Sequence, residues 1–314
     1  MVDVATFLTT LYVMVDDFCT LALPPEPHPD PQAALSRSEV VTLALFGPWQ
    51  GFGSERGFYR YAQRHLRAAF PSLPAREPHH RQVRRQQAAL VAFFLQLVRL
   101  LAAPRCTYEA LDSSGVPTRD AKRRGAGWVP GLADMGWSNR LGWYEGVQLL
   151  LAVTPTGVIP GCGCGAASPK EQPLAETFFA LRHQPHPGLA SVGAPAQSPY
   201  VVDKGFEGQA HQRAWWTTYG APVICPPKRN SKRPWPKPLR RWLAGVRQVV
   251  ETVYDKLQPT FRLDRERPHE LSGFQARLAA KMALHNFCIW LNEQLGRPRL
   301  AFIDSVVENG VMPI

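Results

Sequence analysis

Three acidic residues stand where a carboxylate can do chemistry. Asp112 lies in the strand-like string Glu109-Ala-Leu-Asp-Ser-Ser-Gly, and Asp203 closes the short apolar run Tyr200-Val-Val-Asp ahead of Lys204-Gly205-Phe206. Glu251 sits on a strongly periodic helix, beside its apolar stripe, with Arg247 one turn earlier. An acid at the end of a buried strand is costly unless it is paired or binds a cation. Two or three such acids brought together repel one another and keep their protons unless hard divalent cations neutralise them. Oxygen-only ligands select Mg²⁺ or Mn²⁺ over Zn²⁺. A pair of such ions about 3.5–4 Å apart activates an attacking oxygen and stabilises the leaving oxygen of a phosphodiester. Taken singly, each acid also has an ordinary explanation, because a strand-end Asp caps turns and a helix Glu four residues after an Arg forms a surface pair. On composition and spacing alone the chain is a basic α/β protein compatible with a nuclease.

The charge balance points to a polyanion. The chain has 36 Lys and Arg against 25 Asp and Glu, a net charge of +11, and each phosphate neutralised by Lys or Arg releases condensed counterions. The charge is clustered: the segment 226–241 holds Lys228, Arg229, Lys232, Arg233, Lys237, Arg240 and Arg241 and no acid. Smaller clusters occupy 76–85, with His79 and His80, and 119–124. One cluster alone would be a solvated face; three, with the net charge, favour nucleic acid. An anionic membrane surface is the weaker reading, since no cluster lies on an amphipathic lipid-facing helix.

The elements that must hold these groups change character along the chain. Residues 1–104 read as helical: the stretch 2–23 is apolar with interspersed acids, Ser36-Arg-Ser-Glu39 resembles a capping box, and the apolar run 88–103 is a buried helix ended by Pro104. From 106 the pattern turns to α/β, with a strand over 106–116 and a hairpin over 143–153 and 157–162. A helix over 171–183 follows, then the strand at 200–203, a Gly205 turn, a helix closed by Gly220, and a strand over 221–225. The stripe Leu239, Leu243, Val246, Val250, Val253 and Leu257 predicts a helix, and Ser272 with Gln275 predicts a capping box for a last helix over 273–295. The implied organisation is a helical region over 1–104, an α/β domain over 105–298 and a tail over 299–314.

Several classes are excluded. A hydrophobic fraction of 45% with 19% charged residues is ordinary globular composition, not that of a disordered chain. The longest apolar run, 88–103, contains Gln96 and Arg99 and falls short of a membrane span. The N-terminus has Asp3, Asp16 and Asp17 and no early basic residue, unlike a secretory signal. Six scattered cysteines make no disulfide framework, and Cys162-x-Cys164 lacks a second pair for zinc, so a reducing, cytoplasmic setting is expected. His269 and His285 read as core or capping residues, and Trp235 and Trp242 as candidates for base stacking, with buried packing favoured for Trp242.

The order Asp112, Asp203, Glu251, with gaps of 91 and 48 residues, resembles the DDE transposases of bacterial insertion sequences. Leu111-Asp112-Ser113 is similar to the family's first strand, Asp203-Lys-Gly-Phe206 to its Asp-x-Gly-aromatic motif, and Arg247-x3-Glu251 to the Arg-x3-Glu of the third-acid helix. Trp143-Tyr-Glu-Gly-Val-Gln-Leu149 resembles the hairpin strand between the first two. The related signature wants a tyrosine at position 244 and a lysine at 258, where this chain has Ala244 and Gln258, which puts it in a different branch. The resemblance implies a ribonuclease-H-like mixed sheet flanked by helices, with the three acids holding Mg²⁺ or Mn²⁺, two ions in all. The implied activity is DNA cleavage at transposon ends followed by joining of the 3′ hydroxyl to target DNA. Arg247 would steady the phosphate or orient Glu251. The implied partners are double-stranded DNA, as terminal inverted repeats and target, and a second copy of the chain in the DNA complex. A ribonuclease-H-fold nuclease without strand transfer and a DNA-binding protein with an inactive core are the alternatives.

Overall fold

The computed structural model of the protein describes residues 2–26, 34–119, 128–168, 171–184, 193, 195, 197–227, 231 and 234–302. Lys228, Arg229, Lys232 and Arg233 of the basic run lie outside the described residues, as does most of the 119–124 cluster and the tail from 303. The protein is α/β, with nine α-helices and one mixed six-stranded sheet among the described residues, helices flanking the sheet.

The chain divides into two compact units: 1–97 with 260–262 and 272–314, and 98–259 with 263–271. This differs from the single break expected near 104, because the last helix joins the N-terminal helices. That helix, α9 (Leu271–Gln294), buries residues around its whole circumference, from Phe274 to Asn292, and a helix apolar on all sides needs neighbours on all sides.

The first unit is helical: α1 (Val4–Leu21), α2 (Arg37–Trp49), α3 (Glu55–His65), α4 (Arg76–Arg85), α5 (Gln87–Leu100, whose last turn passes the boundary) and α9. Asp3 caps α1 by accepting from the Thr6 N–H at 2.8 Å. The capping box of α2 forms as expected: Glu39 N–H donates to Ser36 Oγ at 3.2 Å, and Ser36 N–H to Glu39 Oε2 at 2.7 Å. Helix α1 turns Phe7, Leu11, Val15 and Cys19 inward, an i, i+4 stripe. The Phe7 ring stacks on Trp49 at 3.7 Å and meets Phe287 of α9 edge-on at 5.4 Å. By length and composition α1 is the one helix among the described residues able to cross a membrane. The box expected at Ser272 and Gln275 does not start α9, whose first residue is Leu271, so Ser272 is already inside the first turn.

The second unit is built on the sheet. Its strands are β1 (Glu109–Pro117), β2 (Asp134–Ser138), β3 (Gly142–Val153), β4 (Gly161–Ala166), β5 (Tyr200–Val202) and β6 (Val223–Ile224). Strand β3 pairs antiparallel with β1 on one edge; β4 covers its second half and β2 its first. Strands β5 and β6 run parallel to β1 in the order β1-β5-β6. Helices α6 (Glu171–His183) and α7 (Gln209–Tyr219) cover one face, where Phe178, Phe179 and Trp215 pack on Leu111, Leu150, Tyr200 and Val202. Helix α8 (Lys237–Asp255) packs over β1 and β3 and runs into a π-helical turn at Lys256–Thr260. The expected stripe is buried from Val246 onward, while Leu239 is 45% exposed.

A buried ion pair ties α6 to the start of β1. Arg182 Nη2 donates to Glu109 Oε1 at 3.0 Å, Nη1 contacts Oε2, and the guanidinium lies 5.3 Å from the Phe178 ring centre. Removing one partner strands a charge in the core, which costs about 3–5 kcal/mol. Arg182→Ala is therefore expected to destabilise the protein by that amount in urea unfolding, and the double change Glu109→Leu with Arg182→Leu by less.

Candidate active site

Strand β1 outruns its parallel neighbour. The β1–β5 ladder ends at Leu111 opposite Val202, whereas β1 continues to Pro117 with β3 on its other edge. Asp112 and Asp203 are the next residues on the two strands, so both acids leave the ladder side by side. Alternation along the strands sends Leu111 and Val202 into the core beneath α6 and α7 and leaves Asp112 to the α8 side. Asp203 turns the chain by accepting the Gly205 N–H at 2.6 Å, which opens the short helical turn Lys204–Phe206. The fully buried Phe206 side chain anchors that turn.

Helix α8 closes over the pair. A small cavity beneath it is lined by Asp112 and Asp203 from the sheet and by Leu243, Val246, Arg247 and Val250 from the helix. The Tyr254 hydroxyl lies between the carbonyls of Asp112, at 3.0 Å, and Leu149, at 2.8 Å. Gln258 Nε2 donates to Ser114 Oγ at 3.0 Å. Tyr254 and Gln258 thus fasten β1 rather than lining the cavity. Arg247 reaches both ways: Nη1 is 4.0 Å from Asp203 Oδ2 and Nη2 is 3.8 Å from Glu251 Oε1. The Glu251 side chain is 63% exposed. Asp112 and Asp203 meet, then, and Glu251 joins them through Arg247. Among the described residues, no three His, Cys, Asp or Glu side chains are gathered as a metal-holding group.

The electrostatics follow from this packing. Burial pushes the Asp112 carboxyl up to about 7, and Asp203 and Glu171 push the same way, while the Ser113 N–H and Arg247 oppose them. Glu171, the first residue of α6, is the acid that sequence reading passed over. Its Oε1 accepts the Ser113 hydroxyl at 2.6 Å, and burial and Asp203 raise its carboxyl above the ordinary range. Its position beside Ser113 is a contact across 58 residues of sequence, and no local motif announces it.

The remaining candidates fall elsewhere. Lys237, Arg240 and Arg241 are exposed on the first turns of α8, the helix that carries Arg247 and Glu251. Trp242 is 38% exposed, against the expectation of burial, and meets Tyr108 edge-on at 5.6 Å. Trp235 is half-buried. His269 packs on Trp128 with ring centres 3.6 Å apart, and His285 is buried against Phe302 in the helical unit. Cys162 and Cys164 lie on β4 with no metal partners among the described residues, their thiols pushed up by burial to about 12 and about 11. Neither a protein-family model nor a curated protein matches this chain.

A raised acid has a definite sign in stability. Between the ordinary carboxylate value and about 7, the folded protein holds a proton on Asp112 that the unfolded chain has released, so stability falls as pH rises through that window. Urea unfolding in EDTA should show lower stability at pH 8 than at pH 5. Asp112→Asn should flatten the slope and be more stable than wild type at pH 8 by on the order of 1 kcal/mol. An unchanged slope would place the excess proton on Glu171, the neighbouring carboxyl that burial also raises.

Proposed function

We propose that the protein is a DNA transposase with a ribonuclease-H-like core, which cuts at transposon ends and joins the freed 3′ hydroxyl to target DNA. The observation that carries this reading is the meeting of Asp112 and Asp203 at the end of the β1–β5 ladder, beneath the helix that bears Arg247 and Glu251. The strand order supports it: three antiparallel strands, β4-β3-β1, followed by two parallel ones, β5 and β6. The net charge of +11 and the exposed Lys237, Arg240 and Arg241 support DNA as the partner. Joining two transposon ends calls for a second copy of the chain in the complex.

The donors fit a hard divalent cation. Asp112 and Asp203 are oxygen ligands whose mutual repulsion such an ion relieves, so they would hold Mg²⁺ or Mn²⁺, with Glu251 as the third acid on α8. Bound there, the ion supplies activation of the attacking oxygen and relief of charge on the leaving oxygen. The chain's own groups do the rest. Asp112 gives up its proton to become a ligand. Arg247, anchored between Asp203 and Glu251, offers its guanidinium to the scissile phosphate. Tyr254 and Gln258 keep β1 in register under α8, which fixes where Asp112 stands.

The test incubates the protein and an Asp203→Ala variant with labelled DNA carrying the inverted repeats that flank its gene, in Mg²⁺, Mn²⁺ or EDTA. Metal-dependent nicking at the repeat ends, lost in the variant, together with joined products, is the expected result. Nicking without joining would make the protein a nuclease, and tight binding without cleavage would make it a DNA-binding protein with an inactive core.

A further inference from the structure

We infer that one face of α3, carrying Arg56, Arg60 and Arg64, is a docking surface for the phosphate backbone of duplex DNA; the inference rests on the DNA reading above and not on the carboxylate site. The helix has two unlike sides. Phe58, Tyr59 and Ala62 are buried. The Phe58 ring lies 6.4 Å from that of Phe46 on α2, and the Tyr59 hydroxyl donates to the Pro74 carbonyl at 2.6 Å. Ser54 caps the first turn by accepting the Gly57 N–H at 3.1 Å. On the other side the three arginines recur every fourth residue, and all are exposed. At about 3.6 residues per turn they fall within an arc of about 80° and span about 12 Å of the helix axis. Arg67, in the turn after the helix, is exposed as well.

An ordinary solvated surface mixes charges of both signs. The stretch 55–67 holds four arginines and one acid, Glu55. That acid is already engaged: Arg277 Nη1 donates to its Oε1 at 2.6 Å, and His80 Nδ1 lies 3.1 Å from its Oε2. Among the described residues no acidic side chain pairs with Arg56, Arg60, Arg64 or Arg67. Like charges four residues apart on a helix repel, so the stripe carries a strain that a polyanion relieves. The basic cluster at 76–85, by contrast, is partly turned inward, with His79 buried and His80 facing Glu55. A membrane-binding helix needs a free apolar side beside its basic one, and here that side is packed against α2. Guanidinium groups fork onto phosphate oxygens. The stripe is as long as the B-DNA major groove is wide, about 12 Å, so its ends reach the phosphates of both rims. Contacts of that kind position a duplex without reading its sequence.

The experiment titrates labelled duplexes with the full chain in EDTA, by fluorescence anisotropy, over about 50–200 mM salt. One duplex carries the inverted repeats that flank the gene, and the other is of random sequence. The variants are the triple change Arg56→Gln, Arg60→Gln and Arg64→Gln, the same triple change to lysine, and Arg60→Glu alone. Each phosphate contact contributes about 0.9 to the slope of log affinity against log salt. The glutamine triple should therefore make the slope shallower by about 2–3 on both duplexes and weaken binding about tenfold or more at the lowest salt. The lysine triple should keep the wild-type slope. Melting temperatures should stay at the wild-type value, because the three side chains are exposed. If the glutamine triple does not fold, Arg60→Glu decides by the same loss of slope. A wild-type slope in the glutamine triple, or in Arg60→Glu where that variant decides, overturns the inference and leaves the DNA reading standing. A slope lost equally with lysine makes the arginines structural and also overturns it, as does binding to phosphatidylserine vesicles in preference to duplex. No binding of the wild type to either duplex at any salt overturns the inference and the DNA reading together.

Discussion

The unequal length of two neighbouring strands governs the α/β unit. Past Leu111 the β1 edge that faced β5 has no strand beside it, and exposed ladder groups must find other partners or invite foreign ones. Side chains cover them: Gln258 and Arg140 approach the Gly115 carbonyl at 3.4 Å, and Arg267 Nη1 donates to the Pro117 carbonyl at 3.2 Å. Tyr254 and Gln258 lie on α8 and its π-helical continuation. The need to cover β1 thus sets the phase of the helix. Arg247 is seven residues, two helical turns, before Tyr254 and so lies above the same face. Glu251 is one turn before Tyr254 and on its flank, which accounts for its exposure and for its reaching the pair through Arg247.

The same geometry explains why the site is electrostatically tense. A strand ladder that stops short opens a gap walled by protein, where water screens charge poorly. Asp112 and Asp203 enter it because they are the first residues past the last rung, and Glu171 enters from the opposite face because α6 begins there. Arg247 lies at ion-pair distance from both Asp203 and Glu251. Its contacts of 4.0 and 3.8 Å are long for guanidinium–carboxylate pairs, so it softens the repulsion without cancelling it.

What was legible in the sequence was local. Asp203 could be read from an apolar run ending in Asp-x-Gly, because the turn is made by that aspartate's own side chain. The bounds of α6, at Glu171 and His183, and the α2 capping box follow from neighbouring residues, and both appear as expected. What escaped was set by partners distant in sequence. Strand β2 is short and carries Met135 and Trp137 outward with a glycine between them, a pattern that says little until β3 is beside it. Glu171 looks like any helix-opening acid until Ser113 is brought to it. Helix α9 begins at Leu271, two residues before the start that the polar pair Ser272 and Gln275 suggests.

The path of the chain has a bearing on how the molecule can be divided. It leaves the helical unit after 97, returns for 260–262, departs again, and comes back for good at 272. Each unit is woven from non-adjacent stretches, like two cloths sharing a thread. A fragment starting at 105 would carry α9 away from Phe7 and Trp49 and leave an all-round apolar rod without a bed. No single scissor cut frees either unit whole, so the smallest self-sufficient piece of this protein is close to the entire chain.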